Sequence, residues 1–385
     1  MSSSASTDQI AYARERDWER AWQPVMDAVG TDFGDGADRA GPDIVELGAI
    51  RRLAEPLEFG CPLHYDRPLA TQLGYRDVAV PVSGILSFTI APVWQPGAPA
   101  VFTDPARDAQ PERSGTTPRF TGLEPPTTAY FAAEAAADYL TPVVVGDQLW
   151  RRGNRLVACA PKQTRVGRGA FTTWESEVRN QRDELVARLR NTAYLYVPHG
   201  EVAAPPAAAL EPVVEEPIEQ RPVDWGRQRW WDDLTVGEPL GAIRFPLSVY
   251  RLVMAAGSNR DFNSIHHNTE WARATGAEEM YANVVFLQGM WERCVREFIG
   301  VRGTIRQLSG FRMRSFNTVG DTVTVQGRVV RLWEESGIGY AELRVWSNNR
   351  HGVSVGPGSV VVTLPRRPSG AGTRAAPWRP TFSPT

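Results

Sequence analysis

The chain has 385 residues, a formal net charge of −2 at pH 7 and a sequence pI of about 6.3. This length allows two domains of ordinary size, and the balanced charge gives no reason to expect nucleic acid as a partner. Three widely spaced cysteines without a zinc-binding pattern favour a reducing cytoplasm, with neither disulfides nor a bound metal. We expect no membrane span, because no stretch of 18 apolar residues occurs, and the N-terminus has no signal segment.

The N-terminal half starts with helical patterns and continues with strand patterns. Residues 10–29 and 43–58 are amphipathic with helical spacing, and residues 82–93 are apolar enough for a buried helix. Residues 95–126 are rich in Pro, Gly, Thr and Asp, which predicts an irregular insertion. Four strand-like segments follow, of which the alanine-rich first also fits a helix: residues 127–140, 147–160, 170–180 and 184–197.

The same order of elements returns in the C-terminal half. Residues 198–227 open with a run rich in Pro, Ala and Glu and are predicted to be a linker. Residues 247–257 are helical, a polar loop runs from Arg260 to Asn268, and residues 284–299 form an apolar helix before Gly300. The later segments are strands at residues 304–317, 322–334, 339–348 and 358–365, and a disordered tail at 366–385.

These two series predict an internal repeat of an α+β unit, in domains at residues 10–197 and 228–365. His64 aligns with His266, and Gly146-Asp147 aligns with Gly320-Asp321. The excess length of the first copy matches the irregular stretch around 95–126. We expect a long helix across an antiparallel sheet in each copy, with the two sheets paired edge to edge.

The polar loop contains the residues that we consider for chemistry. Asp261, Asn263 and His266 lie within six positions, and a carboxylate with an imidazole suits proton transfer near neutral pH. Taken singly, Asp261 is more typical of a helix cap or loop carboxylate, and His266 of a buried, hydrogen-bonded imidazole. The spacing and the repeat together favour a catalytic pair.

The run from Asp261 to His266 resembles the Asp-x-Asn-Pro-hydrophobic-His motif of MaoC-like dehydratases, also called (R)-specific enoyl-CoA hydratases. The resemblance extends over roughly residues 10–365 and implies a tandem (double) hotdog fold. In the N-terminal copy only Pro62-Leu63-His64 keeps the motif, with Phe59 in place of Asp and Cys61 in place of Asn. Two departures occur in the C-terminal copy: Ser264 replaces the proline, and Arg260 stands where Gly usually precedes the Asp.

The resemblance implies reversible dehydration of a 3-hydroxyacyl thioester, with Asp261 and His266 as the acid–base pair and Asn263 as an orienting group. A backbone N–H within residues 281–289 is the expected oxyanion donor. Asn283, Gly289 and His64 are candidate substrate-binding residues. The implied partner is an acyl-CoA or an acyl carrier protein, with no cofactor beyond that CoA or phosphopantetheine arm, and a homodimer remains open.

Two other functions fit a hotdog fold. A non-catalytic thioester-binding or scaffold subunit would have no need for both Asp261 and His266. A hotdog thioesterase fits the Asp-x-Asn-x-x-His run less well. His64, without an Asp partner, is interpreted mainly as a structural relic.

Overall fold

The computed structural model describes residues 17–34, 39–110, 119–164, 166–198, 223–274 and 277–367. The start of the first helical pattern and most of the predicted linker and tail therefore lie outside the described residues. Trp225, at the end of the predicted linker, is buried in the main core. Arg366 and Arg367, from the predicted tail, form ion pairs with Asp232 and Asp233.

The elements follow the predicted order in both halves. The α-helices are α1 (Gln23–Asp27), α2 (Leu47–Ala54), α3 (Arg67–Gln72), α4 (Val249–Ser258), α5 (Thr269–Ala274) and α6 (Val284–Ile299). The 3-10 helices are Trp18–Trp22, Glu55–Leu57, Pro62–His64, Val82–Thr89, Trp231–Asp233 and Ser264–His266. The strands are β1 (Arg39–Ala40), β2 (Ala129–Tyr139), β3 (Leu149–Gln163), β4 (Gly167–Asn180), β5 (Leu185–Pro198), β6 (Ile243–Pro246), β7 (Thr304–Arg312), β8 (Thr322–Glu335), β9 (Ile338–Asn349) and β10 (Gly352–Leu364). The alanine-rich segment is thus strand β2 and not a helix.

The ten strands of the described residues form one antiparallel sheet in the order β1-β3-β4-β5-β2-β7-β10-β9-β8-β6. Strands β2 and β7 join the two halves, with Glu134 opposite Arg312. The predicted α+β fold with edge-to-edge pairing is confirmed. Among the described residues, no helix has both the length and the apolar character needed to cross a bilayer.

Equivalent hydrogen bonds occur in the two halves. A histidine Nδ1 bonds to the backbone carbonyl 15 positions later, and an aspartate accepts a bond from the N–H three positions before it. These pairs are His64 with Ala79 (2.7 Å), His266 with Tyr281 (2.8 Å), Asp147 with Val144 (3.0 Å) and Asp321 with Thr318 (2.9 Å). The structure therefore aligns the two copies as the sequence predicts.

Helix α6 is the long central helix of the C-terminal half. Its first turn is capped by Asn283, whose Oδ1 accepts the N–H of Phe286 at 2.7 Å, and it ends at Gly300, where φ is +71°. Most of its side chains are buried against the sheet and the N-terminal half. The predicted bounds of this helix are confirmed.

The N-terminal counterpart of α6 differs from the prediction. Residues 82–93 were expected to form a buried helix, but only Val82–Thr89 are helical, and they form a 3-10 helix. Pro92 disfavours a helical conformation at Ala91, so the helix cannot continue there. The long-helix expectation is therefore correct for the C-terminal half and wrong for the N-terminal half.

Candidate active site

The polar loop is held by backbone contacts at the end of α4. The N–H of Asp261 bonds to the carbonyl of Ala256 at 3.0 Å, which turns the chain out of the helix. Arg260 makes this turn with φ of +58°, a conformation that glycine adopts without steric cost. The glycine of the family motif thus has a physical role here, and Arg260 fills that position with some backbone strain.

Asp261 and His266 are brought together by the 3-10 turn at Ser264–His266. The Oδ2 of Asp261 lies 3.3 Å from the Nε2 of His266, and both side chains are largely shielded from solvent. On its other side, His266 Nδ1 donates to the carbonyl of Tyr281 at 2.8 Å, because a carbonyl oxygen only accepts. In the neutral imidazole, Nε2 is then an acceptor facing a carboxylate, which also only accepts. A molecule that donates to both groups, such as water, satisfies this pair.

Asn263 lies between the two but has a local bond. Its Oδ1 caps the 3-10 turn by accepting the N–H of Ile265 at 3.4 Å, and the side chain is half-buried. His267 is exposed, and its Nε2 lies 3.3 Å from the carbonyl of Phe262. Asn263 and His267 therefore contact backbone groups of the loop, whereas the side chains of Asp261 and His266 contact each other.

Asn283 stands at the N-terminus of α6, and its side chain is committed to that helix. Its Oδ1 accepts from Phe286 N–H and also from Asn259 Nδ2 at 3.0 Å. The first N–H groups of the helix, at Val284 and Val285, have no partner within the helix, as in any α-helix. Asn283 thus fixes where these donors point.

Gly289 is packed against the other half of the protein. A Cβ built on Gly289 would lie 2.5 Å from Leu57 Cδ1, and the three nearest atoms all belong to Leu57. Leu57 is itself buried. The close approach that we expected for an acyl chain or a strand is made by this leucine, so Gly289 serves helix packing between the halves.

His64 is buried in the corresponding loop of the N-terminal half. Phe59 packs edge-on against it with ring centroids 4.9 Å apart, and desolvation lowers the pKa of His64 to about 3. The His64 Nε2, which matches the nitrogen facing Asp261, has no hydrogen-bond partner among the described residues. Burial also raises the pKa of the Cys61 thiol to about 12, so it is held protonated. This loop keeps its shape without an acid–base pair.

A carboxyl group from the C-terminal half binds the start of the 3-10 helix Val82–Thr89. Glu292 of α6 accepts the N–H groups of Val82 and Ser83, each at 2.8 Å. Glu292 is buried, and desolvation raises its pKa. The two N–H groups at this helix start are thus bound by a side chain of the protein itself.

Tyrosines beside the dyad were not identified from the sequence. Burial and the negative charge of Asp261 raise the pKa of both Tyr281 and Tyr130. Tyr130 belongs to β2, so the N-terminal half contributes a side chain near the C-terminal dyad. The spacing of 15 residues from each histidine to its carbonyl partner could have identified Tyr281, whereas nothing local marks Tyr130.

The irregular insertion reaches the polar loop. Gln110 accepts a hydrogen bond from Ser264 Oγ, and Asp108 accepts one from Asn268 Nδ2 at 2.6 Å. Arg260 also donates to the carbonyl of Ala91 at 3.3 Å. The insertion therefore lies over the loop that carries the dyad.

Comparisons with known proteins identify the family and the fold. The family described as FAS1-like, dehydratase domain region, matches residues 28–189. A 3-oxo-4,17-pregnadiene-20-carboxyl-CoA hydratase beta subunit from Mycobacterium tuberculosis is 30% identical over 97 residues, which cover 24% of this chain and 74% of that protein. A solved MaoC-like dehydratase superposes with a TM-score of 0.63 at 19% identity, over 88% of this chain and 99% of its own. The chain belongs to the MaoC-like hotdog dehydratase family.

A second solved structure shows the same tandem arrangement as this MaoC-like chain. It is a conserved hypothetical protein from Mycobacterium tuberculosis with a double hotdog fold, with a TM-score of 0.57 and 12% identity over 87% of this chain and 96% of its own. The residues matched by the family model lie in the N-terminal half, whereas Asp261 and His266 lie in the C-terminal half. Membership of this family places the chain, at a coarse level, among hydro-lyases.

Proposed function

We propose that the protein adds water to a 2-enoyl thioester, or removes it from the 3-hydroxyacyl thioester, at a single site formed by Asp261 and His266. The observation that carries the proposal is the 3.3 Å contact between Asp261 Oδ2 and His266 Nε2, with His266 Nδ1 bonded to the Tyr281 carbonyl. With His266 in its neutral form, Nε2 and the Asp261 carboxylate are two acceptors side by side, which suits one water that donates a hydrogen to each.

The reaction balances with these two groups alone. In hydration, the water oxygen bonds to C3 while the dyad accepts one of its protons, and C2 receives a proton from the dyad. The dyad therefore ends each cycle with the protons that it held at the start. Either Asp261 or His266 can serve as the donor to C2, and a single water held by both is the simplest arrangement. The reaction calls for no cofactor beyond the CoA or phosphopantetheine arm of the substrate.

The thioester oxygen gains negative charge during the reaction and needs a donor. The repeat supports Val284 and Val285 for this role, because they match Val82 and Ser83, the two residues whose N–H groups bind the Glu292 carboxylate. In one half, a carboxyl group already accepts both of these N–H groups. In the other half, the first turn of α6 offers the same N–H groups and the positive end of the helix dipole.

The family, and the relative whose name is that of a carboxyl-CoA hydratase subunit, support a thioester as the substrate. We propose an acyl-CoA as the first substrate to test, with an acyl carrier protein as the alternative carrier of the same thioester. Tyr130 of β2 is a candidate for contact with the acyl chain, because the charge of Asp261 acts on its hydroxyl and helps to raise its pKa.

The test is hydration of 2-enoyl-CoA esters of increasing chain length, followed by the loss of absorbance of the conjugated thioester. Replacement of Asp261 by Asn, or of His266 by Gln, should lower kcat/KM by about 10²–10⁴-fold. The matched control is His267→Gln in the same loop, which should stay near the wild-type rate. Inert wild-type protein across CoA and carrier-bound substrates would instead favour a thioester-binding scaffold, and thioester hydrolysis would favour a thioesterase.

A further inference from the structure

A pair of buried asparagines joins the loop that carries the dyad to the start of α6. Asn259 follows directly on α4, two residues before Asp261, and Asn283 caps α6 one residue before Val284. Asn259 Nδ2 donates to Asn283 Oδ1 at 3.0 Å, and the two residues are only 4% and 2% exposed. This bond therefore connects the Asp261 end of the loop with the helix start that holds the proposed oxyanion donors.

The direction of this hydrogen bond is fixed by the helix. The backbone N–H of Phe286 can only donate, so the atom of Asn283 that faces it at 2.7 Å is the carbonyl oxygen Oδ1. Asn259 must then present its NH₂ group to the same oxygen. An aspartate at position 259 would have the same shape but would place a second acceptor there. The bridge therefore needs a donor at position 259, and not only a polar side chain of that size.

The contact between Asn259 and the start of α6 is not closely packed. A cavity of about 10 Å³, enough for about one water, lies beside the bond. It is lined by Asn259 and by Val285 and Phe286 of the first turn of α6, together with residues of the N-terminal half. Because the walls of a cavity do not touch, the hydrogen bond holds Asn259 at a defined distance from this turn.

The N-terminal half has no equivalent bridge. Each loop contains a residue with positive φ, at +50° in the N-terminal loop and at +58° for Arg260, and the residue before it is Leu57 in one half and Asn259 in the other. The two histidine-to-carbonyl bonds likewise place Pro81 where Asn283 stands. Leucine and proline side chains have no hydrogen-bonding atoms. The half without the acid–base pair is thus also the half without the amide pair.

Stability alone does not account for the amide pair. Asn283 Nδ2 is buried and has no hydrogen-bond partner among the described residues, and a buried donor without a partner is destabilising. The leucine and proline of the N-terminal half avoid this cost at the same position. A geometric role at the dyad explains why the C-terminal half keeps two polar side chains here.

We propose that Asn259 is a positioning residue, which acts through Asn283 to hold Asp261 at a fixed distance from the N–H groups of Val284 and Val285. The inference rests on the proposed function, in which the dyad moves protons while the thioester oxygen gains negative charge at those N–H groups. Both events belong to one reaction on one bound substrate, so a displacement of about 1 Å between the two sets of groups lowers the rate by up to about 100-fold.

The test measures hydration of a 2-enoyl-CoA by Asn259→Asp and by Asn259→Leu. We expect kcat to fall about 10–100-fold, with KM changed by less than about threefold, because the bridge acts on the reacting groups more than on substrate binding. The matched control is Ser258→Ala, which removes a hydrogen bond within α4, from Ser258 Oγ to the carbonyl of Ala255 at 3.1 Å, and should keep a near-normal rate. Circular dichroism and urea unfolding establish that each variant is folded in the assay.

Combination with Asp261→Asn separates positioning from a loss of folded protein. A residue that positions Asp261 has little left to position in that variant, so adding Asn259→Leu should slow it by less than about twofold. A purely structural defect reduces the rate by the same factor in both backgrounds, and that result overturns the inference. Normal kinetics of both Asn259 variants, with Asp261→Asn still slow, also overturn it and leave the proposed function intact. Wild-type protein that is inert towards 2-enoyl thioesters overturns the proposed function and this inference with it.

Discussion

Replacing Gly289 by alanine adds one methyl group where α6 passes Leu57, and the effect should change sign with the residue at position 57. In the wild type the new Cβ would lie 2.5 Å from Leu57 Cδ1 and 3.1 Å from Cδ2, so leucine must move. Overpacking of this kind costs about 1–3 kcal/mol, and the gain in helix propensity returns about 1 kcal/mol. Gly289→Ala should therefore lower the free energy of unfolding by up to about 2 kcal/mol.

Truncation of Leu57 removes the atoms that clash. Leu57→Ala alone should cost about 2–5 kcal/mol, because it leaves a cavity beside the helix. In that background, Gly289→Ala should raise the free energy of unfolding by about 1 kcal/mol, through helix propensity and partial filling of the cavity. The measurement is a double-mutant cycle from urea unfolding curves.

A constant effect of Gly289→Ala in both backgrounds would refute the packing role. The hydration assay supplies a second criterion with substrates of different chain length. If Gly289 contacted the acyl chain, the alanine variant would discriminate against long substrates while short ones reacted normally. We expect the relative rates for short and long acyl chains to stay unchanged.

Three further predictions follow from the two loops. Burial lowers the pKa of His64 in the folded state to about 3 from an ordinary value of 6.5, so between these pH values the unfolded chain binds a proton that the folded one does not. The free energy of unfolding should therefore fall as the pH drops from 6.5 towards 3, by up to about 1.4 kcal/mol per pH unit. His64→Gln should remove this contribution to the pH dependence in urea unfolding curves. Glu292→Gln should cost about 1–3 kcal/mol at pH 7, because one of two N–H groups loses its acceptor, and a cost near zero would contradict the bridging role. Arg260→Gly should retain activity and raise the melting temperature slightly, since relief of the positive φ is worth about 1 kcal/mol, and a lower melting temperature would show that the Arg260 side chain outweighs the strain.

Local sequence patterns were sufficient for much of the fold. Apolar spacing and a following glycine predicted the bounds of α6, and the position of His64 relative to His266 predicted the repeat. Both signals are local or periodic, so they can be identified without knowledge of tertiary contacts. The 3-10 helix at Val82–Thr89 was not predicted, because apolar content alone does not distinguish it from an α-helix.

The candidate site was predictable only where its residues are close in sequence. Asp261 and His266 belong to one loop, so the sequence motif predicted that they would pair. Tyr130 and Gln110 come from distant segments of the N-terminal half, and their position depends on how the halves pair. Glu292 lies in helix α6, and no local feature of the sequence indicates its long-range bonds to Val82 and Ser83.

The central claim is that Asp261 and His266 act on one shared water. Its most direct test compares kcat/KM for hydration of a 2-enoyl-CoA by Asp261→Asn, His266→Gln and the double variant. Groups that act as a unit are not additive, so the double variant should be about as slow as the slower single variant. A double variant slowed by the product of the two single effects would contradict the shared water, and near-normal rates in both single variants would contradict the site itself.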